Sequence, residues 1–302
     1  MFNIVRRRYW YFGLSLLLII PGLIVLAISG LPLAIDFTGG SLLELQFTGD
    51  APSEVEVRGA YESVGAEVGT IQTTSVNSQQ IRSTEIDDQT RTQIEDALRA
   101  QGFEFEELQF SSVSAAISQE VVQQAALTVL LATIGILLYL WYAFRQVPHA
   151  IRYGVAAVLA MLHDVALVLG SAAIFDRLFG WQVDALFLTA LLTVIGFSVH
   201  DSIVVFDRIR ENLLRRRDAS YEVVVNHSII QTLDRSINTQ LTAFFTLLAL
   251  ALFGGVSILP FVVTLMVGIL SGTYSSIFNA APILVVWENR EWRTWFRRKA
   301  TA

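Results

Sequence analysis

An aspartate inside an apolar stretch is the residue of this sequence best placed to do chemistry. Asp201 follows His200 in the last third of the apolar run Ala185–Phe206, which is long enough to cross a membrane. A carboxylate at that depth costs roughly 2.5 to 3.5 kcal/mol on the mildest insertion scale, so it requires a compensating partner or a function. A second pair, His163 and Asp164, lies near the middle of another apolar run. These two pairs are the first candidates for ionisable groups that act within a membrane.

The composition is that of an integral membrane protein. Of the 302 residues, 53% are hydrophobic and 16% are charged, against about 25% charged in an ordinary globular chain. The mean hydropathy is +0.53. The formal charge of -6 conceals a segregation of acidic and basic residues along the chain, so it does not by itself indicate a cationic partner. The lack of cysteine excludes a disulfide framework, thiolate metal sites and thiol catalysis.

Apolar runs predict six transmembrane helices, because about 20 consecutive apolar residues cross a bilayer as a helix. The first run follows three arginines and is too long for the apolar core of a signal peptide, so we expect an uncleaved helix. The last run is too long for one helix, and Gly254–Gly255 divide it into two. The runs are Tyr9–Gly30, Val121–Phe144, Tyr153–Phe175, Ala185–Phe206 and Ile237–Trp287.

The segment from residue 34 to 118 has the polar composition of a water-exposed domain. Alternating apolar residues predict strands, and a serine or aspartate before a helical pattern predicts a capped helix. The predicted strands are 42–47, Val68–Val76, Gln80–Ile86 and Phe103–Val113, and the helices are Ser53–Val64 and Asp87–Gln101. The order βαββαβ is that of a small α+β ferredoxin-like fold.

The basic residues predict the orientation of the chain. Most of the 21 lie before the first run, between the second and third, between residues 207 and 235, and after Trp287. The positive-inside rule places these alternate segments, and both termini, in the cytoplasm. The predicted parts are a cytoplasmic N-terminus with helix one (1–33), an extracytoplasmic ferredoxin-like domain (34–118), helices two to six (119–287) and a basic cytoplasmic tail (288–302).

Two glycine motifs are explained by the backbone alone. Gly39 and Gly40 follow the first helix, where a tight hinge before the first strand needs glycine dihedrals. Gly268 and Gly272 are spaced so that another helix can approach the last span closely. For the polar residues that follow on that span, a packing role is sufficient; they are Ser275, Ser276 and Asn279.

Four motifs resemble those of SecF members of the SecD/SecF protein-export family, whose members are of the resistance-nodulation-division (RND) type. They are AIDFTGG (34–40), His163-Asp164, GFSVHDSIVVFDRIREN (196–212) and NHSIIQTLDRSINT (226–239). They occur in the family's order, and the resemblance covers essentially the whole chain. It implies that the six helices form half of an RND-type helical bundle.

The resemblance implies an accessory subunit of a protein translocase, with no enzymatic reaction, cofactor or metal. Such a subunit works with a SecD-like subunit beside the Sec translocon channel, and it uses the proton motive force to promote translocation of an unfolded preprotein. It resides in the lipid bilayer of the bacterial cytoplasmic (inner) membrane and does not bind nucleic acid. The family's proton-coupling aspartate and arginine fall on Asp201 and Arg235, with His200, His163 and Asp164 as candidate supporting residues.

Depth in the membrane supports the same pair. Asp201 lies five residues before Phe206, and Arg235 lies two before Ile237, so both lie within about two helical turns of the same membrane face and can meet. In such a pair, we expect Arg235 or hydroxyls such as those of Thr239 and Thr242 to stabilise the carboxylate. A static ion pair that fixes helix packing is the alternative to proton coupling.

The two His-Asp pairs leave further alternatives open. His163 and Asp164 form either a structural pair or a proton relay. His200 stands where the family usually has asparagine, so it either preserves a hydrogen bond or titrates. A metal site shared by the two pairs is disfavoured, because neighbouring residues of a helix point about 100° apart.

Two other functions are compatible with half of an RND-type bundle. An exporter of small molecules or lipids would need a larger external domain or a second half in the same chain. A passive membrane scaffold would not need an acid at membrane depth. An intramembrane hydrolase is disfavoured because the sequence has no His-Glu-x-x-His pattern and no evident serine-histidine dyad.

Overall fold

The chain consists of long helices and one small sheet. The computed structural model describes residues 3–75, 77–145, 149–216, 218–255 and 257–293, without the side chains of residues 74, 75 and 292. Two units are distinguished by their internal contacts. The first, the membrane unit, comprises the described parts of Met1–Leu31, Val129–Ile174 and Leu186–Ala302. The second, the sheet unit, comprises the described parts of Pro32–Thr128 and Phe175–Ala185.

The elements have the following bounds. In chain order they are α1 (Arg8–Ser29), α2 (Ile35–Thr38), β1 (Gly40–Phe47), α3 (Glu54–Ser63), β2 (Val68–Ser75), β3 (Ser78–Ser83), α4 (Asp88–Ala100), β4 (Phe105–Val113), α5 (Ala115–Ala143), α6 (Ala150–Phe179), α7 (Ala185–Arg215), α8 (Tyr221–Phe253), α9 (Leu259–Ser275), a π-helix (Ser276–Ala280) and α10 (Ala281–Glu288). Short 3-10 helices cover Val5–Arg7 and Glu291–Arg293.

Six helices of the described chain are long and apolar enough to cross a membrane, which confirms the predicted number. The sixth runs through α9, the π-helix and α10. Two helices extend beyond the apolar runs: α7 continues to Arg215, and α8 begins at Tyr221 instead of near Ile237. Their polar turns pack together, and Asn212 donates hydrogen bonds to Ser228 and Gln231 at 2.9 and 2.8 Å. Interhelical hydrogen bonds therefore extend both helices past the point where apolar composition ends.

The sheet is antiparallel with the strand order β2-β3-β1-β4, which confirms the ferredoxin-like fold. The third strand is displaced from its predicted position and covers Ser78–Ser83. It starts earlier because Asn77, with a φ of 61°, makes the turn after β2. It ends earlier because the amide of Ile86 donates to the side-chain hydroxyl of Ser41 on β1 at 2.9 Å and not to a backbone carbonyl of that strand. The predicted end of the second strand, Val76, lies outside the described residues.

Helix caps and an alternating strand build the core of this sheet. Ser53 caps α3 in a capping box with Glu56, and Asp87 accepts the amide of Thr90 at the start of α4. Side chains of β1 alternate between partly and fully buried, as expected for a strand with one covered face. The buried face of the sheet packs against both helices through Leu43, Leu45, Phe47, Val57, Tyr61, Ile81, Ile94 and Leu98.

The predicted glycine hinge is present between α2 and β1. Gly39 and Gly40 have φ values of 75° and 111°, which side chains rarely adopt. A Cβ at Gly40 would lie 2.5 Å from the carbonyl oxygen of Ser83, so the hinge also packs directly on β3. Just before it, Asp36 accepts the amide of Ala185 at 2.9 Å within the same unit. This hydrogen bond joins the segment just before the hinge to the first residue of α7.

Glycines allow two close helix crossings in the membrane unit. A Cβ at Gly22 of α1 would lie 2.7 Å from the Cα of Gly170 on α6. On α9, a Cβ at Gly268 would overlap the side chain of Val194, and one at Gly272 would lie 3.3 Å from Ser198. The prediction that Gly268 and Gly272 admit a neighbouring helix is therefore confirmed, and that helix is α7.

Candidate functional site

Asp201 lies on the buried face of α7, with 5% of its surface exposed. Each of its carboxylate oxygens accepts one serine hydroxyl from another span. Ser236 of α8 donates to Oδ1 at 2.6 Å, and Ser276, the first residue of the π-helix, donates to Oδ2. The Ser276 hydroxyl also lies 3.0 Å from the carbonyl oxygen of Thr273. It therefore has a second acceptor within reach when it is not needed by Asp201.

Asp164 is completely buried on α6 and accepts four hydrogen bonds. Ser271 of α9 donates to Oδ1 at 2.6 Å, and Nδ1 of His163 lies 3.0 Å from the same oxygen. Ser275 of α9 donates to Oδ2 at 2.6 Å, and Ser198 of α7 donates to it as well. Three spans thus meet around one carboxylate.

The sixth span serves both aspartates because of the spacing of its serines. Ser271 and Ser275 are four residues apart, so they lie on the same face of α9, toward Asp164. Ser276 follows Ser275 and points about 100° away from it, toward Asp201. The π-helix begins at that residue, and π turns inside α-helices are frequent at functional sites. Adjacent hydroxyls of one helix therefore contact the two buried acids.

The structure does not bring Asp201 and Arg235 together. Arg235 is exposed on α8, and in the described part of the chain no carboxylate lies within 4 Å of its guanidinium. The expectation that the two side chains meet is not met in this chain, because Ser236 occupies the inward position and the preceding residue points about 100° away. Thr239 and Thr242 are also exposed, so the hydroxyls at Asp201 are different from those expected.

His200 lies on the exposed face of α7, away from the carboxylate of its neighbour Asp201. His163, in contrast, contacts Asp164 directly and stacks on the ring of Tyr274, with centroids 6.2 Å apart. The two sequence-identical His-Asp pairs are thus structurally different. In the described residues, no group of three or more His, Cys, Asp or Glu side chains is arranged to hold a metal ion.

Sequence reasoning missed the serine ligands of both acids. Ser275 and Ser276 were expected only to pack, whereas they donate to Asp164 and Asp201. One signal was available, since Ser271 and Ser275 recur at helical spacing on an apolar span. No sequence pattern predicts the contacts of Ser198 and Ser236 with the two acids, because these contacts depend on which helices are neighbours.

A cavity of about 450 Å³ lies within the sheet unit, beside the glycine hinge. Its walls include Gly39, Gly40, Gly69 and Arg82. Burial lowers the pKa of Arg82 to about 10, while the nearby charge of Asp176 acts in the opposite direction. The hinge glycines therefore line a cavity as well as forming a turn.

Comparison with known protein families identifies the chain. The family model described as protein export membrane protein SecD/SecF, C-terminal, matches residues 93–290, and the SecD/SecF GG motif matches residues 24–51. The chain belongs to the SecD/SecF family. The SecD/SecF GG motif includes the glycine hinge, and the longer match includes Asp164, Asp201 and Arg235.

Relatives of full length support the family assignment. The protein translocase subunit SecF of Anaerolinea thermophila is 51% identical over 99% of this chain and 98% of its own length. The corresponding subunit of Thermobaculum terrenum is 49% identical over 99% and 98%. The translocon-associated SecDF of Thermus thermophilus has a crystal structure that is 34% identical, with a TM-score of 0.82 over 96% of this chain. The present chain matches 39% of that SecDF chain.

Proposed function

We propose that this chain is the SecF-type half of a proton-driven motor that works with a SecD-type half to promote preprotein translocation through a Sec channel. The family assignment supports the export role. The observation that carries proton coupling is the half-filled hydrogen-bonding shell of Asp201, in which each oxygen has one donor and one of the donors has another acceptor.

This shell suits both protonation states of Asp201. In the charged state, Ser236 and Ser276 donate to the carboxylate. When a proton binds to Oδ2, the new hydroxyl donates to Ser276 Oγ, and the Ser276 hydrogen turns to the carbonyl of Thr273. No hydrogen bond is lost while the buried charge disappears, so a proton can bind and leave without leaving a polar atom unpaired.

Proton binding changes the strength of contacts between spans. A hydrogen bond to a charged acceptor is about twice as strong as one between neutral groups. Neutralising Asp201 therefore weakens its bond to Ser236 and loosens α7 from α8. We propose that this change in helix packing is the step that converts proton movement into motion of the subunit.

Exposed polar residues on two spans indicate where the other half binds. Along α7, Thr189, Thr193, Gly196 and His200 recur at helical spacing on one exposed face. Arg235 lies on an exposed face of α8. Polar and ionisable side chains in membrane helices usually face a bundle interior, and small or hydroxylated residues are enriched at helix interfaces. We infer that the SecD-type half covers this surface and supplies the environment of Arg235.

The distribution of basic residues supports the membrane orientation. The chain is proposed to reside in the bacterial cytoplasmic membrane, with both termini in the cytoplasm and the sheet unit outside it. In this arrangement the sheet unit is on the side where a preprotein emerges. Its contact with the unfolded substrate belongs to the same proposal.

Replacement of Asp201 by Asn tests the coupling role. The amide has nearly the same shape and imitates the neutral state, so Asp201→Asn is expected to assemble normally with its partner and to lose the stimulation of export by the proton gradient. Asp207→Asn is the matched control, because Asp207 lies on the same helix but is exposed and paired with Arg210 at 2.6 Å. Complex yield and gradient-dependent preprotein translocation are measured in vesicles.

The two measurements separate coupling from packing. Normal yield with normal gradient-dependent export would refute the proton-carrying role of Asp201. Loss of the subunit from the membrane would instead indicate a structural anchor, since removing one partner from a buried charged network typically costs about 3 to 5 kcal/mol.

A further inference from the structure

Asp164 has no lone pair left for a proton. A carboxylate offers about four acceptor sites, and Asp164 receives four donors. For Ser271 and Ser198 the structure gives no second acceptor, whereas Ser275 has the carbonyl oxygen of Gly272 at 3.2 Å. Protonation of Asp164 would displace one of these donors inside a buried cluster. Four donors therefore favour the charged form of Asp164 more strongly than two donors favour that of Asp201.

The charge of Asp164 is not balanced by a strong base. Within the described residues, no arginine or lysine lies within 4 Å of it. The neighbouring ionisable group is His163, whose side chain is 10% exposed. A lone negative charge at the middle of a membrane helix is unfavourable, and a nearby proton or cation would stabilise it.

His163 has one nitrogen prepared for that proton. When Asp164 is charged, Nδ1 of His163 carries hydrogen, because it lies 3.0 Å from a carboxylate oxygen that can then only accept. In the neutral ring, Nε2 consequently carries no hydrogen and has a free lone pair. This atom is buried and has no hydrogen-bond partner among the residues that the structure describes.

We propose that Nε2 of His163 is a second proton-binding site, with Asp164 as its permanent counter-charge. Proton uptake converts the neutral ring to imidazolium, leaves the Nδ1 bond in place and brings the charge of the cluster from minus one to zero. This inference rests on the proposed function, because it assigns a second step to the same proton-driven subunit. Asp201 and His163 then have different roles, one as an acid that is neutralised and the other as a base that becomes charged.

The groups around the ring are compatible with this assignment. The titratable groups that face it are Asp164 on its own helix and Tyr274 of α9, which stacks on it. The Tyr274 hydroxyl donates to the carbonyl oxygen of Tyr11 on α1 at 2.7 Å, so it is committed elsewhere. Tyr274 therefore supplies an aromatic face to the imidazolium and does not compete for its proton.

Nitrogen-15 spectra of the histidines test the assignment directly. The chain has four histidines, so a full-length sample labelled at histidine, in complex with the SecD-type subunit in a bilayer, gives few signals to assign. As the pH is lowered, the Nε2 signal of His163 is expected to move from the bare to the protonated position while Nδ1 stays protonated. A bare Nε2 at every pH that supports gradient-driven export would overturn the proposal.

A substitution gives an independent functional measurement. Asn in place of His163 retains an N–H donor toward Asp164 but has no basic nitrogen, so His163→Asn is expected to assemble and to change the pH profile of gradient-driven export by removing the contribution of His163. His227→Asn is the control, because His227 is partly exposed on α8 outside the two acid clusters. An unchanged pH profile in His163→Asn would contradict the proposal. If the variant fails to assemble, the spectra of the unmodified protein decide.

The outcome can be distinguished from that of Asp201→Asn. Loss of gradient-driven export in Asp201→Asn, together with a normal profile in His163→Asn, overturns the second site and leaves the proposed function intact. Normal gradient-driven export in both variants overturns both proposals.

Discussion

Asp164 and Asp201 show how two buried aspartates with serine ligands can differ in chemistry. One accepts four hydrogen bonds and the other accepts two. A charged carboxylate is stabilised by each donor, and the neutral acid needs an acceptor for its own hydrogen. In the proposed cycle, donor count therefore separates Asp164, which keeps its charge, from Asp201, which exchanges a proton.

In the proposed function, proton exchange at Asp201 depends on the Ser276 hydroxyl. Ser276→Ala removes one of two hydrogen bonds to the carboxylate, and a hydrogen bond to a charged group contributes about 1.5 to 3 kcal/mol. The variant is therefore expected to hold its proton roughly ten- to hundredfold more tightly, so that gradient-driven export falls because release is slow. When export is measured against pH, the Ser276→Ala variant should have its optimum at a more alkaline pH than the original protein.

A serine outside the acid clusters provides the comparison. Ser15 of α1 exchanges hydrogen bonds with Asn279, at 3.2 and 2.9 Å, and touches neither aspartate. Ser15→Ala is expected to leave the pH profile in place. A profile unchanged in Ser276→Ala as well would show that the Oδ2 donor does not govern proton exchange.

At the residue scale, the sequence revealed the buried acids but not the side chains that donate hydrogen bonds to them. Asp201 and Asp164 were identifiable because a carboxylate in an apolar run is costly wherever the helix packs. Serine is tolerated almost anywhere in a membrane helix, so Ser198 and Ser236 gave no comparable signal. The expected contact with Arg235 failed for a related reason, because depth along the membrane does not specify which side of a helix faces inward.

Close packing of α9 on α7 sets the position of the serine ligands. Gly268→Ala adds a methyl group that would overlap Val194, and overpacking of this kind costs roughly 1 to 3 kcal/mol. The variant is expected to have a lower unfolding temperature and weaker gradient-driven export, because Ser271 and Ser275 would move away from Asp164. Thermal unfolding and export are measured on the same preparations.

Gly135→Ala is a suitable control for this substitution. Gly135 lies in the long apolar helix α5, and a Cβ there would meet no atom within 4 Å. Alanine has the higher helix propensity, so this variant should be as stable as the original protein. Equal stability of the Gly268 and Gly135 variants would contradict a close α9–α7 crossing.

At the element scale, local patterns predicted most of the structure. The six membrane-spanning helices and the βαββαβ order were visible because composition and periodicity depend on local burial. Element ends were less accurate, as β3 shows, since a hydrogen bond from the amide of Ile86 to the side-chain hydroxyl of Ser41 replaces strand pairing there. The early start of α8 likewise depends on partners from α7 that no local pattern specifies.

The proposed orientation of the whole molecule can be tested with single cysteines. Ser220 lies exposed just before α8, and Val55 of α3 is 78% exposed in the sheet unit. Because the chain contains no cysteine, each variant carries one reactive thiol. A membrane-impermeant reagent added to intact cells is expected to label Val55→Cys and to leave Ser220→Cys unlabelled until the membrane is opened. Labelling of Ser220→Cys in intact cells would overturn the proposed orientation.

The π-helix in the sixth span has a consequence for the register of the chain. A π turn accommodates one residue more than an α turn, so every position after Ala280 is offset by one place from an uninterrupted helix. At 3.6 residues per turn, one place corresponds to about 100° of rotation and 1.5 Å of rise. Deleting one residue between Ser276 and Ala280 would therefore restore α geometry and keep the buried face of α10 in place. The π turn at which Ser276 donates to Asp201 would be lost.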